Sequence, residues 1–180
     1  MRPQFDRVKQ LMHAFNVPVF ELDGFEADDV IGTISRLAEA QGIDTVILTG
    51  DRDTFQLVSP LVRVDLSYSI QDRKVYDEVE LAARYSGLTA SQQPDFKALV
   101  GDPSDNIPGV PRIGEKRAIS LLTIFNDLEG VYQHLDEVTP PSVKDSLSKN
   151  REQAFENRIL TTIDRHTPVE VDLDVCRFGQ

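Results

Sequence analysis

Cysteine is nearly absent from this chain. Cys176 stands alone among 180 residues, which excludes an internal disulfide and fits a reducing cytoplasm. No stretch approaches the ~18 apolar residues of a membrane span. The opening MRPQFDRVKQL lacks the apolar core of a signal peptide. Repeats, low-complexity tracts and an obvious flexible linker are missing too. So is any surplus of positive charge: 19 basic residues face 30 acidic ones, a net charge of −11. That balance argues against a broad polyanion-binding surface, because binding to a phosphate backbone usually draws on Lys and Arg. The remainder is ordinary for a globular protein, with 40% hydrophobic and 27% charged residues. The length suits one domain, or a domain with a small appendage, around a real core.

What is there is an unusual distribution of acid. Seven carboxylates fall in three short groups: Glu26, Asp28 and Asp29 in GFEADDV, Asp51 and Asp53 in TGDRD, and Asp102 and Asp105 in GDPSDNIPGV. Clustered hard oxygen donors suit Mg²⁺ or Mn²⁺, which prefer carboxylate and water to imidazole or thiolate. Two such cations would still leave the chain acidic, at −7. Any contact with nucleic acid must therefore be local, metal-mediated and helped by backbone N–H groups.

The hydrophobic pattern predicts an α/β half over residues 1–76 and a helical half over 77–180. Phe5, Val8, Leu11, Met12 and Phe15 recur at helical spacing. VPVFEL (17–22) reads as a short buried strand. A helix from GFEADD to about Ala40 carries Val30, Ile31, Ile34, Leu37 and Ala38 on its inner face, with Gly42 as its stop. DTVILT (44–49) is a second strand, so 17–49 has the strand–helix–strand rhythm of a parallel sheet. VRVDLSY (62–68) and RKVY (73–76) read as further strands around a polar turn. From Asp77 onward six helical segments follow, separated by Gly, Pro and Asn, before an extended tail, TPVEVDLDVCRF.

Each acidic group has an ordinary explanation. Acids in a first helical turn gain roughly 0.3–1 kcal/mol each from the macrodipole, and Gly and Asp are turn residues. Taken jointly they say more. The first two groups would follow consecutive parallel strands, whose carboxyl ends face a common crevice where ligands bind. Acids gathered there repel one another unless a divalent cation is present.

The third group runs into IPGVPRIGEKRAISLL. Two prolines and two glycines there predict a tight hairpin, then a helix from about Gly114. Gly109 and Gly114 permit close backbone approach, and the N–H groups at the helix start suit phosphate. Arg112, Lys116 and Arg117 outnumber Glu115, while Ile113, Ala118, Leu121 and Leu122 supply packing. The plain alternative is a structural hairpin with solvated basic residues. No base-reading side chains stand out, so binding is expected to ignore sequence.

The ordered motifs GFEADDVIGT, ILTGDRDTFQLV and ALVGDPSDNIPGVPRIGEKRA closely resemble the 5′ nuclease domain of bacterial DNA polymerase I, within the flap-endonuclease family. The resemblance covers nearly the whole chain. It implies a partial PIN-like parallel sheet with flanking helices, followed by a helix–three-turn–helix region. It implies Mg²⁺- or Mn²⁺-dependent hydrolysis of DNA at 5′ ends, nicks or flaps, in replication and repair. Glu26, Asp28 and Asp29 would serve one metal and Asp51, Asp53, Asp102 and Asp105 a second, some through water. Of these, Glu26, Asp28, Asp51 and Asp53 would be catalytic. Gly109, Val110, Arg112, Ile113, Gly114, Lys116 and Arg117 would grip the duplex backbone, with K⁺ held by main-chain carbonyls.

Family members open with an aspartate-bearing strand, a second aspartate and a basic helical arch, before the position of Met1. On this resemblance the chain corresponds to the C-terminal two-thirds of a 5′ nuclease, and the expected activity of the isolated chain is weak or nil. A non-catalytic DNA-backbone-binding module, or a fragment completed by a partner, are the competing expectations. A fused or separate polymerase domain is a further expected partner, and the oligomeric state stays open.

Overall fold

The computed structural model describes residues 2–69 and 71–177. The chain divides into two compact units, Met1–Ile43 with Asp164–Gln180, and Asp44–Ile163.

In the first unit, helix α1 (Arg2–Ala14) forms where the spacing places it, yet Phe5, Val8 and Leu11 remain at least half exposed. Residues 17–22 form no strand. An apolar run becomes a strand only beside a partner, and Pro18 offers no N–H to a ladder. The expected strand–helix–strand unit is therefore corrected to a helix followed by a strand. Helix α2 (Ala27–Ala40) buries Val30 and Ala38 as expected, but its other buried positions are Gly32, Thr33 and Ser35. Ile31, Ile34 and Leu37 are half-buried.

The reason for that polar face lies in the returning chain. The Thr167 N–H donates to Thr33 Oγ1 at 3.0 Å, and Arg36 Nε donates to the Arg165 carbonyl at 2.7 Å. Residues 164–167 are thus strapped to α2 by hydrogen bonds that larger apolar residues could not make. Gly42, at φ +70°, ends the helix. The tail, expected to be extended, is irregular with a 3₁₀ turn at Leu173–Cys176.

The second unit starts with strands β1 (Thr45–Thr49), β2 (Val62–Ser69) and β3 (Asp72–Tyr76), in the order β1-β2-β3. β1 runs parallel to β2, from Thr45 opposite Val62 to Thr49 opposite Leu66, whereas β2 and β3 are antiparallel. The sheet is therefore mixed. Central β2 buries Val62, Val64, Asp65 and Leu66. Edge strand β1 alternates, with Ile47 buried and Val46 and Leu48 exposed.

Helices α3 (Glu78–Arg84), α4 (Gln93–Val100), α5 (Glu115–Phe125), α6 (Leu128–Gln133), α7 (Pro141–Lys149) and α8 (Arg151–Thr161) follow. Between α4 and α5 lies a two-residue ladder, β4 (Gly101–Asp102) against β5 (Ile107–Pro108), which the hydrophobic pattern gives no sign of. Leu57, Leu81, Leu99, Leu122, Leu128 and Leu147 fill the core. An aromatic chain runs Tyr76–Phe55–Tyr85–Phe96, with successive ring centroids 4.6, 6.2 and 5.1 Å apart. Among the described residues no helix is long and apolar enough to cross a membrane.

Candidate functional site

β1 delivers the second acidic group. Past Thr49, the Asp51 N–H donates back to Thr49 Oγ1 at 3.0 Å, and the Asp53 N–H donates to Asp51 Oδ1 at 2.9 Å. Asp51 thus turns the chain with its own side chain. Thr54 Oγ1 then donates to the Asp51 carbonyl at 2.7 Å, opening a 3₁₀ turn over Asp53–Leu57. Thr54, Phe55 and Leu57 anchor that turn in the core and fix Asp53.

The third group is held from the other side. α4 stops at Gly101, whose φ of +82° a side chain tolerates poorly. The β4–β5 ladder folds the loop back, and a Cβ at Gly109 would collide with the Val100 carbonyl. The Val110 N–H donates to the Leu99 carbonyl at 2.9 Å. From α8, Asn157 Nδ2 donates to the carbonyls of Ala98 and Pro108, at 3.1 and 2.7 Å, and Gln153 Nε2 donates to that of Pro108 at 2.7 Å. The loop bearing Asp102 and Asp105 is therefore clamped at both ends.

As a result Asp53, Asp102 and Asp105 each offer a carboxylate oxygen, all within 4.8 Å of one another. Asp53 and Asp102 are largely buried and Asp105 is exposed. Lys97, on the last turn of α4, reaches into this nest. Its Nζ pairs with Asp53 Oδ1 and lies 2.7 Å from Asp102 Oδ2. Asp102 Oδ1 accepts from the Ser104 N–H at 2.9 Å and from the Ser104 hydroxyl. Burial pushes the Asp102 carboxyl up, but the hydrogen bonds from Lys97 and Ser104 outweigh it and hold it at about 2.

A cavity of about 590 Å³ opens beside the nest, lined by Asp51, Asp53 and Asp102 and by Arg52, Tyr68 and Arg84. The Arg52 guanidinium lies 5.7 Å from the centre of the Tyr68 ring. Arg84 pairs with Glu115 and stacks 4.7 Å from the Tyr85 ring. Carboxylates and guanidinium groups lining one cavity suit an anion carried in with a metal.

The first acidic group belongs to the first unit, where it follows irregular chain rather than a strand. Glu26 caps α2. Its N–H donates to Asp29 Oδ2 at 3.3 Å, while Asp29 Oδ1 accepts from the Asp164 N–H at 2.8 Å. Both oxygens of Asp29 therefore hold the fold together, in line with the plain capping explanation. Asp28 is half-buried in the first turn of α2.

The hairpin forms as the glycines and prolines indicate. Val110 and Ile113 are buried, and the Ile113 N–H donates to the Val110 carbonyl at 3.0 Å. Gly114 is the N-cap of α5, and Ala118, Leu121 and Leu122 pack inward. The basic surplus is smaller than the composition suggests. Arg117 Nη1 folds back onto the Arg112 carbonyl at 2.6 Å. Arg112 itself sits at φ +71°, a conformation that costs a non-glycine residue about 1–2 kcal/mol. Arg112 and Lys116 point into solvent.

Sequence reasoning passed over Lys97, Ser104 and Arg84. Lys97 lies five residues before Asp102, and only the sharp stop at Gly101 folds that spacing into a contact. The sole signal was the glycine at a helix end beside an acidic loop.

A family model described as the 5′-3′ exonuclease C-terminal SAM fold matches residues 88–180, and one for the 5′-3′ exonuclease N-terminal resolvase-like domain matches residues 1–86. DNA polymerase I of Chloroflexus aurantiacus is 44% identical over 180 residues, 98% of this chain but 19% of its own length. The chain thus spans about a fifth of the length of the curated relatives it matches. Among solved structures, T5 5′-exonuclease with bound zinc superposes with a TM-score of 0.72 at 26% identity, covering 82% of this chain and 53% of that one. A complex of the bacteriophage flap endonuclease with DNA and metal ions gives 0.68 at 26% identity, over the same shares of the two chains.

Proposed function

The chain belongs to the 5′-3′ exonuclease family, and on that premise we propose that it serves Mg²⁺- or Mn²⁺-dependent hydrolysis of DNA at 5′ ends or flaps. The observation that carries this reading is the nest of Asp53, Asp102 and Asp105, whose oxygens lie within 4.8 Å of one another. The donors are all carboxylate, which fits a hard divalent cation. An ammonium already bridges two of them, so a positive charge has both room and partners there.

Asp53, Asp102 and Asp105 would hold one ion, with Asp51 fixing the turn that aims Asp53. Glu26, Asp28 and Asp29 are the donors for a second. A divalent ion so held would supply stabilisation of charge developing on a phosphoryl group and activation of water for attack. Arg52 and Arg84 would orient the phosphate across the cavity. The hairpin would hold the duplex away from the reacting bond. Gly109, Val110, Ile113 and Gly114 present backbone to phosphate, Arg112, Lys116 and Arg117 supply charge, and main-chain carbonyls of the turn would take K⁺. A polymerase domain on the same polypeptide, as the relatives' names suggest, would extend the neighbouring 3′ end over the template that removal of the 5′ segment exposes.

A second reading, DNA-backbone binding without cleavage, draws support from the structural use of both Asp29 oxygens. A labelled 5′-flap duplex separates the two. Mg²⁺-dependent release of labelled product, lost in Asp53→Asn/Asp102→Asn, supports hydrolysis. Binding without release supports the second reading.

A further inference from the structure

We infer that Lys97 is a tethered cation that competes with divalent metal for Asp53 and Asp102, so that metal enters only as the lysine leaves. The inference rests on the metal reading above and concerns a residue to which that reading gives no role of its own.

Oxygen occupancy carries the inference. The Lys97 ammonium occupies Asp53 Oδ1 and Asp102 Oδ2, while the other oxygen of Asp102 accepts twice from Ser104. Asp102 therefore has both oxygens engaged. A Mg²⁺ ion sits about 2.0–2.1 Å from its carboxylate oxygens, so on either oxygen that Lys97 occupies it would lie within a few ångströms of the ammonium, and the two cations would repel each other. Ser104 is neutral, so Lys97 is the partner that the ion drives off. Ser104 is two residues from Asp102 in the same tight loop and moves with it. Lys97 is on a different element and has four rotatable methylenes.

Position points the same way. The Lys97 side chain is 15% exposed, between carboxylates that are 18% and 14% exposed. Asp53 and Asp102 come from segments 49 residues apart in sequence, and Lys97 is the cation that bridges them. Buried acids without a counter-charge repel strongly, so the lysine stabilises the nest before metal arrives. Three aspartates with one ammonium carry −2, still enough to attract a divalent ion. On expulsion the lysine regains about 2 kcal/mol of rotamer freedom in solvent, which offsets part of the lost pairing. Lys97 thus keeps the nest assembled and at the same time lowers its affinity for metal.

The test is Mn²⁺ titration by calorimetry at fixed pH and ionic strength, on the unmutated chain, Lys97→Met and Lys97→Arg. Methionine keeps the apolar stem and removes the charge. Lys97→Met should bind Mn²⁺ at least about tenfold more tightly, the equivalent of one partly buried ion pair removed as competitor. Lys97→Arg, still cationic, should stay within about threefold of the parent. In EDTA, Lys97→Met should melt at a lower temperature than the parent, and Mn²⁺ should raise its melting temperature by more.

A second measurement needs no substitution. In ¹⁵N spectra of the lysine ammonium groups, the Lys97 signal should lose its hydrogen-bonded shift on saturation with Mg²⁺. Equal or weaker Mn²⁺ affinity in Lys97→Met, or a Lys97 signal unmoved by Mg²⁺ that demonstrably binds, overturns the competition and leaves the metal reading intact. Absence of metal binding in all three proteins overturns both.

Discussion

The acids at the start of α2 and the acids around the end of β1 look alike as sequence and do different work in the fold. Asp29 spends both carboxylate oxygens on backbone N–H groups, one from Glu26 and one from Asp164. Those bonds begin a helix and tie the returning chain to it. Asp53, Asp102 and Asp105 instead face one another, with the Lys97 ammonium bridging two of them and a net negative charge left over for a divalent cation. A carboxylate that lowers the energy of the bare fold is structural first. Carboxylates that neighbouring elements bring together with fewer positive charges than negative ones are poised for a ligand.

The largest effect should come from a residue with no charge. A Cβ at Gly109 would meet the Val100 carbonyl, so Gly109→Ala must open the β4–β5 ladder and displace the Asp102 loop. A loss of at least about 3 kcal/mol in urea denaturation is expected, in the range of severe backbone clashes. If the protein tolerates alanine there within experimental error, the loop is not what forces the nest together.

Next comes Asp102→Asn. It preserves shape and removes a charge, and Mn²⁺ affinity should fall about 100-fold, the equivalent of some 2.7 kcal/mol. Calorimetry reads this directly, and an unchanged affinity would place the ion elsewhere.

Asp29→Ala should cost about 1–2 kcal/mol of stability through its lost cap and tie. That loss should already be present in EDTA, whereas Asp105→Ala in EDTA should leave stability unchanged. Equal losses in the two variants would erase the distinction drawn between the clusters.

The smallest effect concerns a buried acid outside both groups. Asp95 accepts from the Leu128 N–H at 3.1 Å. Burial raises its carboxyl above the ordinary 3.8, against the pull of Leu128 and Arg158. A raised value in the folded state means that protonation favours folding. The contribution is full below pH 3.8 and is lost as pH rises through the raised value. Asp95→Asn should remove that component of the pH–stability profile, while changing stability at pH 7 by no more than about 1 kcal/mol. A profile that keeps its acid rise in the variant would assign it to another group.

Much of this was legible beforehand, for identifiable reasons. The helices from Glu78 onward carry their own punctuation in Gly, Pro and Asn, and β2 and β3 are β-branched runs around a polar turn. The IPGVPRIG hairpin announces itself through backbone chemistry, which is local. Residues 17–22 misled because strand formation is a property of a pair, and no spacing within one segment reveals whether a partner exists. The β4–β5 ladder is too short for any periodicity to register. Lys97 escaped because its role depends on a helix stopping at Gly101, which turns five residues of sequence into a 2.7 Å contact. The capping role of Asp29 was weighed from the start, but its bond to Asp164 spans 135 residues and has no local signature.

The two side chains that α8 extends to the Ala98 and Pro108 carbonyls bear on how portable this loop is. Asn157 and Gln153 brace residues 98–108 from outside that segment. A graft of residues 97–117 into another helical scaffold would carry Asp102, Asp105 and every hairpin cation, yet lose Asp53 and the two side-chain donors from α8. The transplantable cassette is therefore discontinuous and includes α8. Recombination between relatives with a crossover between Val110 and Gln153 would join an acidic loop to a brace that had not evolved with it.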